Sequence, residues 1–145
     1  MKIIIGSDHG GFELKNELCT YLREMGHEVE DAGCHSQSSV DYPDYAFPVC
    51  EAVAKGEFAF GILVCGTGIG MSICANKVRG IRCALCSEPV SAALTRKHNN
   101  ANVLAMGARI IGKELAKEIV RTFLSTEFDG GRHENRVNKI SEYEK

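Results

Sequence analysis

The sequence predicts an α/β fold: five parallel strands in one sheet, with helices covering both faces. Three observations predict it. Short apolar runs rich in β-branched residues alternate with stretches of helical periodicity along the whole chain. The strand runs are apolar on both of their faces, as strands covered on both sides are. No linker, repeat or low-complexity segment interrupts the alternation, and 145 residues make one domain with a sizeable core.

Each element has its own signal. Ile3-Ile4-Ile5, closed by Gly6, is the first strand. Phe12, Leu14, Leu18, Tyr21, Leu22 and Met25 recur at helical spacing, and Gly26 stops that helix. His27 to Ala32 is a weaker strand, and Cys34 to Val40 is polar and loop-like. Pro43 or Pro48 occupies the first turn of the next helix, which runs to about Lys55. Gly61 to Val64 is a third strand that meets Cys65 and a glycine-rich turn, with a helix after Thr67. Ile81 to Leu85 is the fourth strand. Ser87 caps a helix with Pro89 in its first turn, and Asn99-Asn100 suits its end. Ala101 to Met106, closed by Gly107, is the fifth strand. Leu115, Ile119, Val120, Phe123 and Leu124 form the stripe of a long helix. Beyond Gly130-Gly131, a C-terminal helix at about 133–144 carries Val137, Ile140 and Tyr143.

Composition narrows the function. A net charge of −2 offers no whole-molecule attraction to nucleic acid or anionic lipid. No run approaches the ~18 apolar residues of a membrane span, and the N-terminus enters a strand at once, without a signal-peptide pattern. Seven cysteines, an odd number set largely in apolar runs, read as reduced thiols of a cytoplasmic protein. Cys83 and Cys86 form the only Cys-x-x-Cys. They fall in a strand, where residues three apart face opposite sides, and no second ligand pair accompanies them.

Open parallel sheets bind ligands beyond the C-terminal ends of their strands. That rule gathers Ser7 to Gly11, Cys65 to Gly70, Cys86 to Glu88, and Gly107 to Arg109. The turn Cys65-Gly66-Thr67-Gly68-Ile69-Gly70 is the most informative of these. Its backbone N–H groups point into open space as donors for an anion, with a thiol beside them. It lacks the Gly-Lys-Ser/Thr ending of a nucleotide loop, its glycines fall at every second position, and Met71 stands where a cysteine phosphatase loop needs arginine. Donors for a developing oxyanion remain as its chemistry; a tight turn around a structural cysteine is the plain alternative. Asp8 and His9 suit sugar hydroxyls and a phosphate or proton, although Asp8 also suits a helix cap. His98 closes a helix, where a histidine complements the dipole or moves a proton. Arg109, Arg132 and Arg136 are a candidate anion clamp, the last two on one helical face if the final helix starts near Gly131.

In order along the chain, Asp8-His9-Gly10-Gly11, Cys65 to Gly70, Ala75-Asn76-Lys77, Gly80-Ile81-Arg82, Cys86-Ser87-Glu88-Pro89, His98-Asn99, Asn102-Val103-Leu104 and Gly130-Gly131-Arg132-His133 resemble the ribose-5-phosphate isomerase B family, which includes allose-6-phosphate and galactose-6-phosphate isomerases. The resemblance covers essentially the whole chain. It implies a Rossmann-like three-layer α/β/α sandwich and a homodimer whose active sites are shared, with the C-terminal helix against the partner subunit. It also implies cofactor-free and metal-free isomerisation of a small phosphorylated sugar through an enediolate, in the pentose phosphate pathway. Cys65 would be the base, Thr67 would assist proton movement between oxygens, and His98 would open the furanose ring. Asp8 would hold hydroxyls, and Gly66, Gly68, Ile69 and Gly70 would lie against substrate. Asn99 would bind it from the partner, and His9, Arg109, Arg132 and Arg136 would hold the phosphate. A second branch of the family uses a glutamate at the position of Met71, so the resemblance places this chain in the cysteine branch. Rival readings are an isomerase of allose 6-phosphate or free aldoses, a non-catalytic sugar-phosphate or nucleotide-binding module, and a thiol hydrolase using Cys65 and His98.

Overall fold

The computed structural model describes residues 1–144; of the expected 1–145 domain, Lys145 lies outside them. Five strands form one parallel sheet: β1 (Lys2–Ser7), β2 (Glu28–Asp31), β3 (Phe60–Cys65), β4 (Cys83–Leu85) and β5 (Val103–Gly107). Their order is β2-β1-β3-β5-β4. The chain moves outward from β1 to β2 and then resumes on the other side of β1 at β3. That reversal opens a crevice at the C-terminal ends of β1 and β3.

Six helices cover the sheet: α1 (Phe12–Glu24), α2 (Pro43–Ala54), α3 (Ile69–Ala75), α4 (Pro89–Asn99), α5 (Lys113–Ser125) and α6 (Arg132–Tyr143). Alternation along each strand divides the core in two. Ile3, Ile5, Ile62, Val64, Leu104 and Met106 pack against α1, α4 and α5. Ile4, Leu63, Cys65, Val103 and Ala105 face α2 and α3. The expected three-layer α/β/α arrangement is the one observed. No helix among the described residues is long and apolar enough to cross a membrane.

Local chemistry explains the ends of the elements. Pro43 takes the first turn of α2, while Pro48 lies inside it. Gly26 follows α1 with φ +90°, and Asn100 ends α4 in the left-handed region at φ +46°. The expected Ser87 cap is corrected: Glu88 caps α4, and its carboxylate accepts the Ser91 N–H at 2.9 Å. Pro89 holds the first helical position, so the residue directly before it is the cap. The fourth and fifth strands begin two residues later than expected. The Asn102 side chain accepts the Arg82 N–H and donates to the Gly80 carbonyl (both 2.9 Å), replacing ladder bonds there.

One buried ion pair steers the chain toward the site. Lys15 of α1 is fully buried and donates to both oxygens of Asp31 at 2.8 and 2.7 Å. Asp31 Oδ1 also accepts the Gly33 N–H at 2.9 Å. Gly33 and Cys34 then bond to Ser7, the last residue of β1. The loop that follows is pinned farther along by Gln37 donating to Glu13 at 2.7 Å.

Candidate active site

Three strand ends lie level. Ser7 pairs with Val64, and Cys65 with Gly107. Beyond them the chain keeps bonding: Asp8 N–H to the Val64 carbonyl, Ala108 N–H to the Cys65 carbonyl, and Arg109 N–H to the Gly66 carbonyl. These bonds hold Asp8-His9-Gly10, the Cys65–Gly70 turn and Arg109 in one group.

After β1 the backbone makes a single 3-10 turn over His9–Gly11, capped by the Asp8 carboxylate, which accepts the Gly11 N–H at 3.1 Å. Capping therefore holds for Asp8, and it fixes the carboxylate in the crevice rather than removing it. Gly11 has no alternative: a Cβ there would stand 2.5 Å from the Val64 carbonyl oxygen. His9 is oriented from far along the chain. Its Nδ1 accepts the Val40 N–H at 3.1 Å. A backbone N–H can only donate, so Nδ1 is the unprotonated nitrogen and Nε2 carries the proton.

Cys65 ends β3 with only 5% of its surface exposed. The chain then turns through Gly68, at φ +78°, where a Cβ would meet the Leu85 side chain at 2.6 Å and the Met106 backbone at 2.8 Å. The turn wraps the sulfur, and Gly68 N–H donates to Cys65 Sγ at 3.1 Å. Ile69 N–H donates to Thr67 Oγ1 at 3.2 Å. The expectation of N–H groups pointing into open space is thus corrected at these two positions. Gly70 and Met71 lie in the first turn of α3, whose N–H groups have no acceptors within the helix. The Thr67 side chain is exposed. The Arg109 side chain runs beside Gly66, 3.4 Å from where a Cβ would sit.

The other predicted residues form a second group. His98 and Asn99 close α4, and the His98 ring stacks on His133 with centroids 4.4 Å apart and planes 17° apart. Arg132 and Arg136 lie on the first turns of α6, beside His133. Loss of water around the ring and the charges of His98, Arg132 and Arg136 push the His133 pKa below the ordinary histidine value, against the opposing pull of Asp129. His98 and Asn99 line a cavity of 410 Å³ with Leu85, Cys86, Ser91 and Leu94, which contains no member of the first group. No hydrogen bond or ion pair among the described residues joins the two groups. A larger groove of 860 Å³ touches the first group only at His9 and Gly10. It opens between α1 and α5, on the opposite face of the sheet from Cys65.

The seven cysteines are all free. Burial pushes the Cys19 and Cys86 thiols up to about 11 and Cys50 to about 12, and raises Cys74 and Cys83 as well. Cys83 and Cys86 belong to opposite faces of the sheet, so the Cys-x-x-Cys offers no joint ligand set. Sequence reasoning missed Val40, whose N–H orients His9 across 31 positions, and Tyr42, whose ring would lie 2.5 Å from a Cβ at residue 70. Neither carries a local signal. It also passed over Asp129, whose carboxylate lies with the His98 and His133 rings, all ligand atoms within 4.8 Å of one another.

Comparison with known proteins gives the family. The family model described as Ribose/Galactose Isomerase matches residues 3–140. Ribose-5-phosphate isomerase B of Escherichia coli is 54% identical over 143 residues, covering 99% of this chain and 96% of the relative. The structure of Clostridium thermocellum ribose-5-phosphate isomerase B superposes with a TM-score of 0.97 at 55% identity, covering 98% of this chain and 96% of that one. A ribose 5-phosphate isomerase from Thermotoga maritima gives 0.95 at 60% identity, with 97% of each chain covered. The chain thus belongs to the ribose/galactose isomerase family.

Proposed function

We propose that this chain interconverts ribose 5-phosphate and ribulose 5-phosphate through an enediolate, with Cys65 as the base. The observation that carries the reading is the Gly68 N–H aimed at Cys65 Sγ, in a turn that runs into the first turn of α3, where the Gly70 and Met71 N–H groups have no acceptor within the helix. A proton beside a carbonyl is removable only where charge on the enolate oxygen is stabilised, and preorganised donors do this. Cys65 takes the C2 proton of the open-chain aldose. The electron pair forms the C1–C2 double bond, and the charge passes to O1, against the turn and Thr67. Returning the proton to C1 and moving the hydroxyl proton from O2 to O1, with Thr67 assisting, gives the ketose. Asp8 accepts from sugar hydroxyls. His9 offers Nε2–H to the phosphate, beside Arg109, Arg132 and Arg136, whose planar forks suit it.

His98, which opens the furanose ring, and Asn99, Arg132 and Arg136 come from a second copy of the chain. Two features support this homodimer. The site residues of one chain fall into two separated groups. Large apolar side chains are also exposed beside both groups: Ile69 and Ile73 on α3, Leu85 on the edge strand β4, and Val90 and Leu94 on α4. The α6 helix exposes Ile140 and Tyr143 as well, and the proposed partner would cover them. Seven free thiols fit a cytoplasmic setting.

The test is ribose 5-phosphate isomerisation by wild type and Cys65→Ala. Removing a general base lowers kcat by about 10²–10⁴-fold. Full activity in the alanine variant overturns the assignment. Comparing kcat/KM among ribose 5-phosphate, allose 6-phosphate and free allose places the substrate within the family. Binding without turnover, indifferent to loss of Cys65, would identify a binding module instead.

A further inference from the structure

His98, Asp129 and His133 come from different elements: the last turn of α4, the loop after α5, and the first turn of α6. Two features bring them together. Asp129 N–H donates to the Lys97 carbonyl at 3.1 Å, which ties the loop to the end of α4. The chain then turns through Gly130 and Gly131, at φ +68° and +57°, and lays His133 on the His98 ring. Their ligand atoms lie within 4.8 Å of one another. Among the described residues, no side-chain hydrogen bond or ion pair engages either ring or the Asp129 carboxylate. They are three neighbouring donors without another polar partner, and turning one ring out of the nearly parallel stack would bring both imidazole lone pairs and the carboxylate onto one ion.

From this juxtaposition we infer that His98, Asp129 and His133 form a binding site for a zinc-class divalent transition metal whose occupation inhibits the enzyme. The inhibitory part rests on the ring-opening role proposed for His98. Two imidazole nitrogens and a carboxylate with an open fourth position are a zinc-like set. At metal–nitrogen bonds of about 2.0–2.1 Å, tetrahedral ligand atoms stand roughly 3.4 Å apart. Rotation of exposed or half-buried side chains closes the gap from the observed separations. Arg132 and Arg136 select among metals. Their charge opposes any cation, so a hard ion held mainly by electrostatics, such as magnesium or calcium, gains little from one carboxylate. A metal that bonds strongly to imidazole tolerates them. Binding consumes the lone pair of a His98 nitrogen in a metal–nitrogen bond and releases water from the metal. No electron is transferred, and the metal plays no part in turnover.

The test uses the full-length protein in a buffer free of phosphate and chelators. Zinc is titrated against a competing fluorescent indicator, and cobalt serves as a spectroscopic reporter. The expected result is one metal per chain, with visible cobalt bands and no strong near-ultraviolet sulfur-to-cobalt charge transfer. Asp129→Asn and His133→Gln should each weaken zinc binding by more than about tenfold. Zinc should inhibit wild type, chelator should restore it, and Asp129→Asn, active without metal, should need correspondingly more zinc. Unchanged zinc affinity in both variants, or a cobalt spectrum dominated by thiolate, overturns the site. The binding arms involve no turnover, so an inactive protein that still binds zinc through these residues refutes the proposed reaction and leaves the metal site standing. Binding here with undiminished isomerisation overturns the inhibitory role.

Discussion

Cys65→Ala and His98→Asn should complement each other when they share a dimer. In each variant homodimer both sites carry a lesion, and loss of an acid–base group leaves below about 1% of the rate. A hybrid dimer differs. With Asp8, His9, Cys65, Thr67 and Arg109 drawn from one chain and His98, Asn99, Arg132 and Arg136 from the other, one of its sites collects both lesions and the other collects none. A purified hybrid should therefore show about half the wild-type activity, and a randomly reassorted mixture, half of it hybrid, about a quarter. The assay is co-expression of the two chains with different affinity tags, tandem purification of the hybrid, confirmation of its size by light scattering, and measurement of ribose 5-phosphate turnover. Activity of the hybrid no higher than that of its parents refutes the shared site, since a site built within one chain leaves one lesion in each. The separation of the cavity beside His98 from every residue of the Cys65 group is what makes recovery the expected result.

Other perturbations test the scaffold around the thiol. Asp31→Asn leaves Lys15 buried without its carboxylate and should cost about 3–5 kcal/mol in denaturant unfolding; Lys15→Met, which strands only the more exposed Asp31, should cost less. Burial raises the Asp31 pKa, but the Lys15 hydrogen bonds, the Gly33 N–H and the charges of Lys15 and His35 outweigh it and hold the group below its ordinary value. Its folded pKa is depressed, so its contribution is present above the unfolded carboxylate value and is lost as pH falls through the folded one; the acid limb of Tm against pH should flatten in Asp31→Asn. Gly68→Ala forces a left-handed alanine, about 1–2 kcal/mol, and drives its Cβ toward the Met106 backbone; kcat should fall with the N–H bond to Cys65, and wild-type kinetics would contradict the role of the turn. Iodoacetamide should inactivate by modifying Cys65, with protection by ribose 5-phosphate, because the proposed substrate sits against that thiol; peptide mapping that finds inactivation tracking any of the other six cysteines contradicts it.

Local signals in the sequence were enough for the layers and for the Cys65 turn. Apolar runs ending in glycine mark β1 and β3, and the strand-end rule then places Asp8, His9 and Cys65 together. What stayed hidden was long-range. The sheet order that brings β1 beside β3 is a property of packing, and His9 is aimed by Val40 through a loop with no periodicity. Strand starts shifted because one side chain, Asn102, satisfies backbone groups that pattern alone gives to a ladder. Two turn N–H groups bond Cys65 and Thr67 because the buried sulfur and the hydroxyl are the nearest acceptors. His98 illustrates the limit most clearly. At a helix end a histidine reads first as a complement to the dipole, and only its stack on His133, 35 positions away, shows that it belongs to a cluster.

The two halves of the site also differ in how they are held, and this bears on how activity arises. The Cys65 half rests on the level ends of three hydrogen-bonded strands, with backbone bonds continuing past each end. Proton abstraction needs that rigidity, since a base and its oxyanion donors lose effect when displaced by about 1 Å. The His98 half rests on helix ends and a two-glycine corner, a softer support that would suit the phosphate-holding and ring-opening roles proposed for it. In the proposed dimer, joining a rigid half to an adaptable half across a subunit boundary would make catalysis conditional on assembly. Specific activity should then fall on dilution through the dimer dissociation constant while each chain stays folded, a dependence that a site complete within one chain would not produce.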